Sequence, residues 1–297
     1  MSWLVAALVA PLFYSFSNFI EKYLVDHVRA PAGLLTVWVS FMMGLGTMLL
    51  GVGLGAELLS SRDALLMMLA GASLSIYILP YFIALKLDEA SRIIPLFQFS
   101  PLFLFALSWL CLGEELTGLQ FCGALLVIVG GFILSLERRV SGVLKLRPAF
   151  WLIIFASFLY AVNGLLTRMV ISQNNLGGTL LFQGFGQLLA VAPMKYYLGK
   201  TPAEGDFVKQ LNFWGWIVLT VLVSCIATLC DVYAMGLVKV NLVRSVAATQ
   251  PLFVVVLGTI LSHLLPGYFA EDLRVRALGL KFGVGLMMLF GIYLLYR

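Results

Sequence analysis

PLFQFSPLFLFALSWLCLGEELTGLQFCGALLVIVGGFIL, residues 95–134, is the stretch that decides how this chain is read. Two apolar runs flank a short acidic turn, Gly113-Glu114-Glu115. Each run is about 20 residues long, enough for a helix to cross a hydrocarbon core of about 30 Å. The charges of the stretch lie in the turn. It is therefore expected in the headgroup region, joining two antiparallel membrane helices. The rest of the sequence varies this unit.

Composition agrees with a lipid solvent. Of the 297 residues, 62% are hydrophobic and 11% are charged, where a water-soluble domain carries about 25% charged residues. The apolar runs are continuous, unlike the short alternating segments of a membrane β-barrel. Helices are then the remaining way to satisfy a backbone in lipid. Cys111, Cys122, Cys225 and Cys230 fall in or beside apolar runs without C-x-x-C spacing, so neither a zinc site nor a disulfide framework is indicated. The net charge is +5, but the basic residues lie in short loops. There they suit anionic headgroups rather than nucleic acid. The opening MSWLVAALVAPLFY has no basic n-region and no small-residue cleavage site, and reads as a retained first span.

Predicted spans cover 2–22, 33–55, 64–86, 92–111, 117–136, 149–171, 177–198, 212–237, 242–265 and 277–296. No gap between them is long enough for a separate domain. The expectation is an all-α integral membrane protein of ten helices, multi-pass in a plasma or inner membrane. Lys and Arg divide unevenly by side. Fourteen share the side of Lys22, Lys86 and the 137–148 connector, against five opposite: Arg62, Arg168, Lys239, Arg244 and Arg297. The positive-inside rule then puts the connector in the cytoplasm and both termini outside.

The chain reads as two copies of a five-helix unit. Tyr14 matches Tyr160 and Lys22 matches Arg168 at one constant offset. Ser100-Pro101-Leu102-Phe103 matches Gln250-Pro251-Leu252-Phe253, and Gly123 and Gly131 match Gly283 and Gly291. Residues 1–137 form the first repeat, 138–148 the connector and 149–297 the second repeat. An odd number of spans per copy makes the copies inverted across the membrane. Inverted repeats are a recurring plan of secondary transporters, with the site near the midplane where the halves meet.

Pro101-Leu102-Phe103, then Leu112-Gly113-Glu114, then Gly123 and Gly130-Gly131 form a pattern that closes a repeat. On these residues the chain resembles the drug/metabolite transporter superfamily, in particular its ten-helix EamA-type members. The second half keeps Pro251-Leu252-Phe253 and the terminal glycines but carries Glu271-Asp272 in place of an LGE. The resemblance implies a carrier of two inverted five-helix repeats (5+5) working by alternating access, with efflux the favoured direction. It brings no substrate-binding residues with it, because the family has no universal ones.

Candidate site residues therefore come from this sequence alone. Asp231 lies inside the apolar run TLCDVYAMGL. A carboxylate at a helix centre costs about 2.5–3.5 kcal/mol on the insertion scale. Arg244, an amine on a substrate, or proton exchange are the alternatives that offset it. Tyr14, Asn18 and Glu21 make a polar stripe on the first span, with Glu21 and Lys22 closing that span. Tyr160 and Asn163 occupy the matching place on the sixth. Trp38, Tyr77, Tyr81, Gln98, Gln183, Gln187, Thr249 and Gln250 are further polar or aromatic groups placed to line the same cavity. Glu21, Asp231 and Arg244 form the candidate coupling or charge set. For each group the competing reading is interhelical packing or interfacial contact. Gly51 and Gly55, and Gly279 and Gly283, have the spacing of close helix contacts. Pro80, Pro95, Pro101, Pro193 and Pro251 mark candidate bends.

Catalytic constellations are missing. Asp231 has no second buried aspartate, His27 sits in a loop and His263 near a span end, and no P-loop or metal-ligand cluster occurs. No cofactor, metal or nucleic acid is expected, and no enzyme activity. The partners expected are a small-molecule substrate and membrane lipid, with the oligomeric state left open and a monomer compatible. The reading is a secondary-active transporter of small polar or zwitterionic organic solutes, amino acids among them. The alternatives are a flippase for a lipid-linked or amphipathic head group, and a non-transporting membrane scaffold or intramembrane enzyme.

Overall fold

A computed structural model describes residues 2–87, 97, 99–113, 115, 117–135, 148–198, 211–264 and 275–296. Gln98, Glu114, Pro95, Glu271, Asp272 and most of the basic connector lie outside the described residues. The described residues hold no β-strand. Their helices are α1 (Trp3–Asp26), α2 (Ala32–Gly53), α3 (Ser61–Leu87), α4 (Phe99–Leu112), α5 (Gly118–Ser135) and α6 (Pro148–Ile171). They continue with α7 (Leu176–Leu198), α8 (Leu211–Leu237), α9 (Val240–Ala247), α10 (Gln250–Leu264) and α11 (Val275–Tyr296).

Six of the described segments are long and apolar enough to cross a membrane. They are α1, α2, α3, most of α6 and α8, and the run Val240–Leu261 that joins α9 to α10. The outer surface is apolar, with Trp109, Leu110, Leu189 and Leu222 each more than half exposed. Such side chains have no place in water but suit lipid tails.

Two expectations are corrected in detail. The first span does not close at Lys22: α1 runs on to Asp26, and Lys22 pairs with Asp26 one turn later at 3.0 Å. Glu21 is thus a helix-interior residue, and it is buried. The ninth span is not one helix. It breaks at Ala248-Thr249 because Pro251 has no N–H for the Ala247 carbonyl and its ring would clash there. The turn after α4 behaves as expected. Gly113 sits at φ +59°, the left-handed conformation that ends a helix without a Cβ penalty.

The five most extensive helix interfaces all join a helix before residue 136 to one after 147. They are α2 on α7, α3 on α6, α1 on α8, α5 on α11 and α3 on α7. Glycines make the α2–α7 crossing close. A Cβ on Gly51 would stand 2.6 Å from the Gly177 carbonyl, and one on Gly184 would stand 2.6 Å from the Gly44 carbonyl. Gly55 is no part of this seam. It follows α2 at φ +72° as a turn residue, and a Cβ there, or at Gly279 or Gly283, would meet open space. Apolar packing falls mainly into two clusters. Ala6, Ala7 and Ala10 of α1 belong to one, and Leu24 and Val25 to the other. The polar stripe of α1 lies between them.

Candidate functional site

The gap between the clusters is a cavity whose space not filled by atoms, open solvent included, is about 810 Å³. Tyr14, Asn18, Glu21, Tyr77, Tyr81, Tyr160, Asp231, Arg244 and Gln250 all line it. Nine residues singled out in the sequence thus meet in one place, drawn from α1, α3, α6, α8, α9 and α10. Helical spacing explains the α1 contribution, since residues three or four apart share a face.

Glu21 is held from two sides. Ser17 Oγ donates to its Oε1 at 3.1 Å and Tyr81 Oη to its Oε2 at 3.0 Å. Tyr81 Oη also lies 3.3 Å from Asn18 Oδ1. Asp231 and Arg244 form an ion pair, Nη1 to Oδ2 at 3.0 Å, with the two side chains 7% and 2% exposed. Arg244 Nη1 also donates to Tyr160 Oη at 2.6 Å, and the guanidinium carbon stands 4.3 Å over the Tyr160 ring. Of the three ways to offset Asp231 that the sequence left open, the Arg244 pair is present. One correction follows: Arg244 is a buried side chain, not a loop charge, so the uneven count becomes fourteen against four (5 − 1).

Other candidates are placed elsewhere. Trp38 packs edge-on against Trp214 at 4.8 Å and carries Lys195 over its ring at 5.6 Å. Asn163 Nδ2 donates to the Ala70 carbonyl of α3 at 3.2 Å, tying α6 to α3. Thr249 Oγ1 donates to the Val246 carbonyl at 2.8 Å inside the α9–α10 break. Gln183 and Gln187 are buried on α7, and the Oε1 of each has no partner. Gln187 lines a second cavity of about 490 Å³, which shares Tyr14, Tyr77 and Tyr160 with the first. The Tyr77 and Tyr160 rings lie 5.7 Å apart and stand between the two spaces.

Some polar residues at or beside the second cavity escaped the sequence reading. Ser17 Oγ meets Ser224 Oγ at 2.8 Å, and Tyr14 Oη meets Thr228 Oγ1 at 3.2 Å. Ser224, Thr228 and Asp231 recur at i, i+4 and i+7, so they share one face of α8. That spacing was the available signal. These two bonds also fix the register of α1 against α8 as antiparallel. Among the described residues, no group of three His, Cys, Asp or Glu is placed to hold a metal.

Residues 1–136 match the EamA-like transporter family. That family is part of the drug/metabolite transporter superfamily, and the match covers the first 136 of the 297 residues. The match and the apolar helices support a multi-pass membrane protein, and the family matched is one of small-molecule transporters. No curated protein matches the chain. A solved crystal structure, described simply as that of a protein, is similar over 98% of this chain and 98% of its own length. Its TM-score is 0.69 at 18% identity, a likeness that shows the fold.

Proposed function

We propose that this chain is a secondary-active transporter of small polar or zwitterionic organic solutes, exporting them by alternating access. The observation that carries the reading is the cavity itself. It lies between helices of both halves, and its wall holds a carboxylate at Glu21 and an ion pair at Asp231–Arg244. Intramembrane charges of this kind mark solute or ion pathways. Aromatic rings at Tyr77, Tyr81 and Phe97 supply apolar contact beside them.

The design we infer is two inverted five-helix repeats. The helix contacts support it, counting α9 and α10 as one span. Exchanging each helix for its counterpart five spans away turns α1 on α8 into α6 on α3, and α3 on α7 into α8 on α2. It also turns α4 on α6 into α9 and α10 on α1. All of these contacts are present. The family match also ends at residue 136, one short of the boundary drawn at 137.

The test is counterflow. Purified protein is screened by thermal shift against a metabolite library, because a ligand that prefers the folded state raises its melting temperature. Proteoliposomes preloaded with a hit should then accumulate labelled solute, and protein-free liposomes should not. Tight binding without any accumulation refutes the carrier reading. Proton coupling through Glu21 or Asp231 adds a second expectation, that an imposed pH gradient drives uptake. If Glu21→Gln and Asp231→Asn each keep that response, coupling runs elsewhere.

A further inference from the structure

Glu21 is a buried carboxylate with no cation beside it. Ser17 Oγ and Tyr81 Oη each give it one hydrogen bond, and among the described residues it takes part in no ion pair. A carboxylate has about four acceptor sites, so each oxygen keeps room for a further donor. The outer edge of Arg244 packs against Gly164, which does not line the cavity. Glu21, by contrast, is part of the cavity wall and 9% exposed. A carboxylate in such a place is costly until a proton or a cation answers it. The wall has no cation to spare. Among the described lining residues Arg244 is the single one, and it is paired with Asp231 at 3.0 Å. The surroundings of Glu21 suit an organic cation. Tyr77, Tyr81 and Phe97 line the same cavity, with the Phe97 ring centroid 6.1 Å from that of Tyr77 and 5.6 Å from that of Tyr81. Aromatic rings attract cations and offer contact area to an apolar stem.

We propose that Glu21 is the docking point for the protonated amino group of the transported solute, a small organic amine. The proposal rests on the carrier reading and narrows its substrate class to monocations. Charge sets the number. Asp231 and Arg244 offset each other, so one positive charge balances the lining and a second would go unanswered. Position adds a constraint. The pairs Ser17–Ser224 and Tyr14–Thr228 put Asp231 level with Pro11 on α1. Glu21 is ten residues further (21 − 11), about 15 Å at 1.5 Å per residue. The carboxylate of an α-amino acid docked at Glu21 would therefore lie beside a like charge and far from Arg244, which argues for an amine that lacks one. A hard metal ion fits less well, since it asks for about six oxygens where this wall offers rings.

The test uses the full-length protein in nanodiscs of zwitterionic lipid at neutral pH, with empty nanodiscs as the blank. The probes are matched pairs: butylamine with butan-1-ol, benzylamine with benzyl alcohol, phenethylamine with 2-phenylethanol. At least one amine should bind about tenfold or more tighter than its alcohol, as expected when a charge-assisted hydrogen bond replaces a neutral one. That preference should vanish in Glu21→Gln, which still accepts from Tyr81 but carries no charge. Benzyltrimethylammonium, a cation without an N–H, should bind less tightly than benzylamine, and an equal concentration of sodium chloride should not displace benzylamine. If no amine outbinds its alcohol in the unaltered protein, the proposal is wrong, whatever the variant does. A preference that survives in Glu21→Gln, equal binding of benzyltrimethylammonium, or displacement by sodium each overturns it too. Counterflow separates the two readings. An alcohol carried better than its amine removes the docking point and leaves the carrier. An amine bound through Glu21 but never carried leaves the docking point and removes the carrier.

Discussion

Asp231 sits where lipid surrounds the bundle, and its partner decides whether the helix tolerates it. Removing one member of a buried ion pair leaves the other charged and alone, a loss of about 3–5 kcal/mol. Asp231→Asn should therefore lower the unfolding temperature in detergent markedly, and more than Glu21→Gln, whose carboxylate is held by neutral hydroxyls. Replacing both members, Asp231→Leu with Arg244→Met, should recover most of the stability and none of the transport. If the double variant is no more stable than Asp231→Asn alone, the pair is not the reason Asp231 is tolerated. The sequence allowed this pair to be named because two ionisable residues interrupted apolar runs. It did not show that half of the guanidinium stays unpaired, since that depends on the rotamer and on Tyr160. Nor did it separate Trp38 or Asn163 from the cavity. Spacing tells which face of its own helix a residue takes, not which neighbour that face meets.

Helix placement was legible at the level of elements because hydropathy runs are set by the thickness of the membrane. Seams between helices were less legible. Gly51 and Gly55 share the spacing of a contact motif, but Gly55 follows the end of α2 in a left-handed turn. The partner of Gly51 is Gly177, more than a hundred residues away, and no local pattern announces it. The seam makes a clear prediction. A methyl at Gly51 would stand 2.5 Å from the Leu181 backbone nitrogen, so α2 and α7 must move apart to admit it. Gly51→Ala and Gly177→Ala should each destabilise by about 1–3 kcal/mol, the cost of overpacking a tight contact. Gly53→Ala, where a Cβ meets nothing within 4 Å, is the control and should be close to neutral. Thermal unfolding in a single detergent compares the three. Equal melting temperatures would mean that the crossing is looser than these distances require.

Across the whole molecule, the longest interfaces run between the halves rather than within them. Under the proposed carrier reading, such a protein opens its cavity to one side by sliding helices before residue 136 along helices after residue 147. The α1–α8 interface is the place to test this, because it carries the polar stripe and ends at the ion pair. Ser17 and Ser224 face each other there with their oxygens 2.8 Å apart. Cysteines at those two positions stand within reach of a disulfide, whose Cβ atoms are usually about 3.5–4.5 Å apart. In a background lacking the four native cysteines, Ser17→Cys with Ser224→Cys should transport when reduced and stop when oxidised. Reductant should restore transport, and each single variant should ignore the oxidant. Binding of a ligand already in the cavity should survive the cross-link, because the bond tethers helices without filling the space. Undiminished transport with the cross-link fully formed would mean that α1 and α8 move as one body. The sliding surface would then have to be sought at α3 and α6, their counterparts in the proposed repeat.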